Sequence, residues 1–251
     1  MSKSKYVTGL RAVEQLLAAQ KTEIRRIYAE YQTVNPRVEA LIAAANNRGI
    51  EIQPANRARL AQISGESRHQ GIVAEVRRST VLDEATLRSF VEERLQDEAA
   101  NKLLLLLLDG VQDPHNLGAC MRTADAAGVD AIVVPRHGAA GLGSTVSKVA
   151  AGAAENLPFA SVGNLSRVLG WLKDYGVYVL GTSDKGSQSI YDTDFDRPVA
   201  LVMGREHTGL GKRIEGLCDE LVSLPMQGTV SSLNVSVATG ICLYEALRQR
   251  R

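Results

Sequence analysis

The chain has 251 residues, of which 45% are hydrophobic and 23% are charged, and its net charge is +1. That length can hold one large domain or two smaller ones, and the composition is ordinary for a globular protein. The longest apolar run, residues 103–108, is too short to span a bilayer, and we expect no signal peptide because no apolar stretch follows the polar first residues. These properties argue against a membrane protein and predict a cytoplasmic one.

The three cysteines, Cys120, Cys218 and Cys242, are widely spaced along the chain. No Cys-x-x-Cys pair occurs, so the sequence predicts neither a disulfide framework nor a zinc site. The four histidines also lack the spacing of metal ligands. We therefore expect no metal centre.

The charge is distributed unevenly along the chain. Residues 1–78 contain 13 Lys and Arg against 7 Asp and Glu, a net charge of +6, whereas residues 79–251 contain 16 against 21, a net charge of −5. A basic front segment on a nearly neutral protein predicts an anionic partner, and nucleic acid is the leading candidate. Arginine-rich helix faces that are merely solvated would explain the same charge equally well.

Residues 1–78 predict a small domain that alternates helices and strands. The clearest helix signal is an apolar stripe that starts at Leu10 and ends at Leu17. Predicted helices cover 9–19 and 36–47, and predicted strands cover 24–29, 50–52 and 71–76. Residues 79–101 are acidic and carry one amphipathic pattern, so we interpret them as a linker helix between two domains.

Residues 102–251 predict a second domain in which strands and helices alternate. Predicted strands cover 103–108, 131–134, 159–162, 177–180, 199–203 and 221–224. Predicted helices cover 116–127, 144–153, 165–175, 209–217 and 234–248. The fold class is therefore α/β, with a largely parallel sheet and helices on both of its faces.

A parallel sheet first suggests a dinucleotide-binding protein, but the required glycine pattern is absent. After the first predicted strand, residues 109–118 contain only Gly110 and Gly118, with Pro114 between them. A dinucleotide-binding oxidoreductase needs the G-x-G-x-x-G turn at this point. The glycines concentrate instead at residues 204–211, which favours a binding crevice formed by late loops of the sheet.

Three motifs follow one another in this second domain. The first covers residues 109–128, the second 201–210, and the third 224–240. On these motifs the chain resembles the SpoU/TrmH family of ribose 2′-O-methyltransferases, which belongs to the SPOUT superfamily. The front block, with Gly9-Leu-Arg and Arg68-His-Gln-Gly, looks like the ribosomal-protein-like RNA-binding domain of that family.

The resemblance implies a fold and a cofactor. The implied fold is a C-terminal SPOUT domain with a deep trefoil knot, one of the few exceptions to unknotted topology. The implied cofactor is S-adenosylmethionine, bound at Gly204, Leu224 and Leu233. Glycine lets the backbone approach a ligand closely, and the two leucines would cover the adenine.

The resemblance also implies a set of catalytic residues: Asn116, Arg122, Glu206 and Asn234. Arginine keeps its proton in proteins, so we interpret Arg122 as a group that binds the adjoining phosphate and stabilises the developing alkoxide, rather than as a base. Glu206 would orient Arg122 or the substrate, or else hold the loop around it. Asn234 matches a position that lines the site, although helix capping alone would explain it.

The two-domain arrangement is most similar to family members that methylate a guanosine in the peptidyl-transferase centre of 23S rRNA. The implied partners are therefore 23S rRNA or a ribosome-assembly intermediate and a second copy of the chain, because family members are homodimers. Methylation of a tRNA or of another rRNA nucleotide is the alternative within the family. A non-catalytic RNA-binding assembly factor would keep the basic front domain, but it would not need Asn116, Arg122 and Glu206 together.

Overall fold

The computed structural model describes residues 5–19, 24–31, 33–76, 81–96, 102–205 and 208–251. The chain divides into two compact units, Met1–Thr80 and Val81–Arg251. No helix in the described ranges is long and apolar enough to cross a bilayer. Each unit has its own sheet and its own apolar core.

The described part of the first unit is a four-stranded sheet in the order β1-β4-β2-β3, with helices on both faces. Strands β2 and β3 are parallel to each other, and β4 is antiparallel to both of its neighbours, β1 and β2. The elements are β1 (Lys5–Thr8), α1 (Leu10–Ala19), β2 (Ile24–Glu30), α2 (Pro36–Asn47), β3 (Glu51–Ala55), α3 (Arg57–Ser64) and β4 (Ile72–Val76).

Helix α2 has the bounds that the sequence predicts because its start is encoded locally. The side chain of Asn35 accepts a hydrogen bond from the N–H of Arg37, and Pro36 occupies the first helical position. Helices α1 and α2 pack on one face of the sheet, whereas α3 packs on the other through Leu60. Strand β1 and helix α3 are absent from the elements predicted from the sequence.

The described part of the second unit is a seven-stranded sheet, and every pair of neighbouring strands in it is parallel. The strand order is β7-β6-β5-β10-β8-β11-β9. The strands are β5 (Leu104–Leu108), β6 (Ala131–Pro135), β7 (Phe159–Val162), β8 (Tyr178–Thr182), β9 (Gln188–Ser189), β10 (Val199–Met203) and β11 (Glu220–Ser223). The helices are α4 (Glu84–Gln96), α5 (Pro114–Ala126), α6 (Ser144–Ala150), α7 (Ala153–Asn156), α8 (Leu165–Asp174), α9 (Lys212–Glu215) and α10 (Val235–Gln249). The predicted α/β fold with a parallel sheet is confirmed.

Both faces of this sheet are covered, which explains the continuous apolar run of β5. Helices α5, α6, α7 and α10 contribute to the core on one face, and α4, α8 and α9 contribute to the core on the other. All five residues of β5 are buried, as expected for a strand between two helical layers. The segment predicted as a linker, 79–101, contains α4, and Leu87 and Val91 of this helix are buried in the second core.

Two predicted helices differ from the observed ones. The helix predicted at 144–153 is interrupted, because Ala151 and Gly152 both have positive φ angles and separate α6 from α7. The helix predicted at 209–217 shortens to α9, because Gly209 lies in the left-handed region and its N–H and C=O pair with Arg205. The trefoil knot stays a prediction.

Candidate active site

A large cavity opens at the carboxyl ends of three strands of the second unit. Strands β10, β8 and β11 lie side by side in the sheet, so the loops that follow them meet at one edge. The cavity has a volume of about 780 Å³. Crevices outside the carboxyl ends of parallel strands are the usual binding sites of such sheets. The location agrees with the predicted crevice of late loops.

The three predicted cofactor-binding residues, Gly204, Leu224 and Leu233, all line this cavity. They come from two separate segments of the chain, the loop after β10 and the stretch between β11 and α10. Both leucines are half-buried, so their side chains are partly available to a ligand. Other lining residues are Met203, Val235 and Ala238 on the apolar side and Thr182, Ser183, Asp184 and Ser232 on the polar side.

Gly204 is a position where no other residue fits. A Cβ atom added there would overlap the carbonyl carbon of Gly209 and the amide nitrogen of Leu210. These are backbone atoms, which cannot move aside as the end of a side chain can. The loop closes back on itself because Arg205 and Gly209 exchange two backbone hydrogen bonds of 3.0 Å each. Gly204 therefore lets this loop fold tightly against the end of β10.

Asp109 connects the first and second motifs. It follows β5, and its Oδ2 accepts a hydrogen bond of 3.2 Å from the N–H of Gly211. Its own N–H donates to the carbonyl oxygen of Met203 at 2.8 Å. Asp109 thus holds the loop after β10 beside the loop after β5, a role that was not predicted from the sequence.

Asn116 and Asn234 meet, although they are 118 positions apart in the sequence. The Nδ2 of Asn234 donates to the Oδ1 of Asn116 at 3.0 Å. The Oδ1 of Asn234 accepts from the backbone N–H of Ser236 at 2.9 Å, which caps α10. The same side chain therefore caps α10 and contacts a second predicted site residue, so the capping function and the predicted site role do not exclude each other, and the site role stays a prediction.

A second, smaller cavity of about 350 Å³ adjoins the first. It is lined by Asn116 and by the loop after β5, and Arg205 and Thr208 line both cavities. The side chain of Arg205 lies against Gly110, where an added Cβ would overlap its Nε. No side-chain hydrogen bond or ion pair joins Arg205 to another described residue. Arg205 is not among the site residues predicted from the sequence, although it stands inside the second motif.

Arg122 is exposed on α5 and lines neither of these two cavities. Its guanidinium forms no hydrogen bond or ion pair with any residue in the described ranges. Helix α5 itself is held firmly: a Cβ added at Gly118 would come within 2.7 Å of Val149 Cβ, and Gly240 of α10 packs beside Thr123. A closely packed helix therefore presents Arg122 to solvent.

Glu206 lies outside the described residues, so its predicted role stays a prediction. Residues 182–185, the loop after β8, line the larger cavity and were not predicted as part of the site. The loop carries no motif. A signal was nevertheless present in the sequence, because the strand predicted at 177–180 ends just before it and ligands bind at such strand ends.

Two cysteines of this unit, Cys218 and Cys242, are poor nucleophiles. Burial raises the pKa of the Cys242 thiol to about 12, and burial together with the neighbouring Asp219 carboxylate raises the pKa of Cys218 to about 12. A thiol with such a pKa carries almost no thiolate at neutral pH. Among the described residues, no group of three or more His, Cys, Asp and Glu is placed to hold a metal ion.

Two sequence profiles match the chain. The "SpoU rRNA Methylase family" matches residues 103–244, and the family described as "RNA 2'-O ribose methyltransferase substrate binding" matches residues 6–82. The first match covers the sheet and both cavities. The second covers the small basic unit, and it agrees with the prediction of an RNA-binding front domain.

Relatives match over their whole length. A 23S rRNA (guanosine-2'-O-)-methyltransferase RlmB of Ralstonia nicotianae is 46% identical over 250 residues, which are 100% of this chain and 98% of that protein. The RlmB of Shewanella oneidensis is 44% identical and both chains are covered completely. The crystal structure of the SpoU methyltransferase AviRb from Streptomyces viridochromogenes with its cofactor AdoMet superposes with a TM-score of 0.71 at 26% identity, over 98% of this chain and 90% of AviRb. The chain belongs to the SpoU rRNA methylase family.

Proposed function

We propose that the protein transfers a methyl group from S-adenosylmethionine to the ribose 2′-hydroxyl of a guanosine in the peptidyl-transferase centre of 23S rRNA, acting on the RNA or on a ribosome-assembly intermediate in the cytoplasm. The observation that carries the proposal is a cofactor-sized cavity that shares Arg205 and Thr208 with a second cavity lined by Asn116. The relatives that match both units at full length support the choice of 23S rRNA.

The residues of the larger cavity fit the cofactor. Its volume of about 780 Å³ lies within the range of small-molecule sites. Gly204 leaves a backbone cradle that a Cβ would fill, and Leu224 and Leu233 offer apolar surface for a purine. S-adenosylmethionine supplies a methyl group on a sulfonium, which an oxygen nucleophile can attack in line. We assign Gly204, Leu224 and Leu233 to its binding.

We assign the remaining site residues to the RNA and to its orientation. Methyl transfer to an alcohol depends on positioning and on charge stabilisation, because the 2′-hydroxyl is a weak nucleophile at neutral pH. From its exposed position on α5, outside both cavities, Arg122 binds the phosphate that adjoins the target ribose and stabilises the developing alkoxide. Asn234 orients Asn116 toward the smaller cavity, where the ribose would lie. Glu206 orients Arg122 or the substrate, or holds the loop that follows β10.

The proposal is tested by mapping 2′-O-methyl groups in total RNA from cells that lack the protein. We expect the loss of one guanosine methyl group in 23S rRNA, restored by the wild-type gene and not by a gene carrying Arg122→Ala. Loss of a methyl group from a tRNA would assign the alternative substrate within the family. An unchanged methylation pattern would contradict the enzymatic proposal and favour a role in ribosome assembly.

We also propose that the protein is a homodimer that associates through α10, with the active sites near the interface. Val237 and Tyr244 are 51% and 52% exposed, and Ile241 lies between them at helical spacing, so the three residues form one apolar stripe. The sequence predicts Leu247 in this stripe together with Val237 and Ile241. Leu247 is half-buried, whereas the exposed position is Tyr244.

Val237→Lys is expected to weaken dimerisation on the order of 10- to 100-fold, because a lysine at the centre of an apolar interface loses its hydration. Val81→Lys is the matched control, since Val81 is also an exposed valine of the second unit but lies outside α10. Light scattering over a range of concentrations measures the change. A wild-type protein that is monomeric and active at all concentrations would contradict the dimer.

The net charge of +6 on residues 1–78 predicts that the first unit supplies much of the phosphate contact. RNA affinity of the full-length protein is expected to fall steeply with salt, because each neutralised phosphate releases counterions. Deleting residues 1–78 is expected to flatten this salt dependence and to weaken RNA binding strongly, while cofactor affinity changes little. Equal salt slopes and equal RNA affinities for the two proteins would show that the front unit does not bind the RNA.

A further inference from the structure

Several loops of the first unit meet at one edge of its four-stranded sheet. Strands β2 and β3 run in parallel and end at Glu30 and Ala55, which are register partners. Strand β4 is antiparallel to β1 and β2, so it begins at the same edge, where Thr8 of β1 pairs with Val73. The loops after β1, β2 and β3 and the loop before β4 therefore lie together.

Hydrogen bonds fix the loop before β4 to its neighbours. The Oε1 of Gln70 accepts from the N–H of Leu10 at 3.0 Å, and the Oε2 of Glu66 accepts from the hydroxyl of Thr8 at 2.9 Å. The Nδ1 of the buried His69 accepts from the N–H of Gly71 at 3.2 Å. These contacts hold Gln70 in the left-handed region, with φ of 52°. The loop before β4 is therefore a preformed part of this edge.

The side chains at this edge have an unusual combination of apolar exposure and positive charge. Tyr31 is 66% exposed and Val34 is 93% exposed, both in the loop after β2. Four exposed arginines lie on the adjoining loops and first helical turns. We call the six residues the edge surface: Arg11, Tyr31, Val34, Arg37, Arg57 and Arg68.

Ion pairs with neighbouring carboxylates neutralise little of the positive charge of the edge surface. The side chains of Arg11, Arg37 and Arg68 make no hydrogen bond or ion pair with any residue that the structure describes. Arg57 pairs with Glu30 at 2.9 Å. Glu66 accepts the Thr8 hydroxyl, and Glu39 lies in the first turn of α2 without an ion pair to any residue that the structure describes. Three guanidinium groups are thus available to an anionic partner at the end of the sheet where Tyr31 is exposed.

We propose that the edge surface binds an unpaired segment of RNA, with a base stacked on Tyr31 and phosphates contacted by Arg11, Arg37 and Arg68. This proposal rests on the proposed function and specifies which surface of the first unit reads the substrate. Unpaired bases can turn outward and stack on aromatic side chains, whereas a base that is paired and stacked inside a duplex cannot. Arginine suits phosphate because its planar fork donates two parallel hydrogen bonds.

The test uses full-length variants with an rRNA transcript that contains the target region. Tyr31→Ala is expected to weaken RNA binding by about 5- to 150-fold, the effect of losing one stacked base, and Tyr31→Phe is expected to retain wild-type affinity. The double variant Arg37→Gln/Arg68→Gln is expected to lower the salt slope by about 1.4, since each single-stranded phosphate contact contributes about 0.7. Both variants are expected to raise KM for RNA while kcat and cofactor affinity stay unchanged.

Controls in the second unit separate a local effect from a general one. Tyr191→Ala removes another exposed tyrosine, and Arg213→Gln removes another exposed arginine, and neither is expected to change RNA binding. Because the substituted side chains of the edge surface are exposed, thermal unfolding is expected to stay unchanged.

The outcomes distinguish this proposal from the proposed function. If the wild-type protein methylates 23S rRNA and the edge variants bind it normally, the proposal for the edge surface is wrong and the proposed function stands. If the wild-type protein neither binds nor methylates the RNA, both are overturned. If the variants bind naked RNA normally but lose binding to ribosomal particles, the surface contacts a protein and the RNA proposal is wrong.

Discussion

Replacing Arg122 with alanine is expected to lower the rate of methyl transfer at saturating substrates by at least about 10²–10³-fold, the usual cost of removing one group that stabilises developing negative charge. Arg122 is exposed on α5, a helix fixed by close packing at Gly118, so the substitution removes a charge without leaving a cavity. Single-turnover rates measure the chemical step directly. Calorimetry with S-adenosylmethionine is expected to give wild-type affinity, because Arg122 does not line the larger cavity.

Arg213→Gln is the matched control for this variant, since Arg213 is an exposed arginine of the same unit. Arg122→Lys separates charge from shape: a lysine keeps the positive charge but not the planar fork, so partial activity is expected. Near-wild-type turnover of Arg122→Ala would contradict the assignment. An unfolded Arg122→Ala protein would contradict the view that this side chain is free of structural contacts.

Gly204→Ala is expected to weaken binding of S-adenosylmethionine on the order of 10- to 100-fold. The added Cβ would overlap backbone atoms of Gly209 and Leu210, so the loop must move away from the end of β10. Such overpacking typically costs about 1–3 kcal/mol, and here the displaced backbone lines the cofactor cavity. Calorimetry measures the affinity for S-adenosylmethionine, and thermal unfolding shows how far the substitution also destabilises the folded protein.

Gly228→Ala is the control for this glycine. Gly228 lies in the stretch between β11 and α10, which also contributes residues to the cofactor cavity. An added Cβ at Gly228 would meet no atom within 4 Å. Cofactor affinity and melting temperature are expected to stay at their wild-type values. Unchanged cofactor binding by Gly204→Ala would refute the assignment of the loop after β10 to the cofactor.

The elements that the sequence predicts well are those whose ends or burial are encoded locally. The bounds of α2 follow from Asn35 and Pro36, and β5 follows from its unbroken apolar run. Strand β1 and helix α3 were missed because their sequences show little periodicity. They form because the sheet of the first unit supplies partners: β1 pairs with β4, and Leu60 of α3 is buried against the sheet.

The sequence by itself determined the fold class, the two units, the three motifs and the residue types available for the chemistry. Those depend on local periodicity and on short-range spacing. Only the tertiary structure decided which residues meet. Asn116 and Asn234 share a hydrogen bond because α5 and α10 pack together, and residues 182–185 join the cavity because β8 lies beside β10. Strand order and helix packing arise from long-range burial of apolar surface, which the local pattern of a segment does not specify.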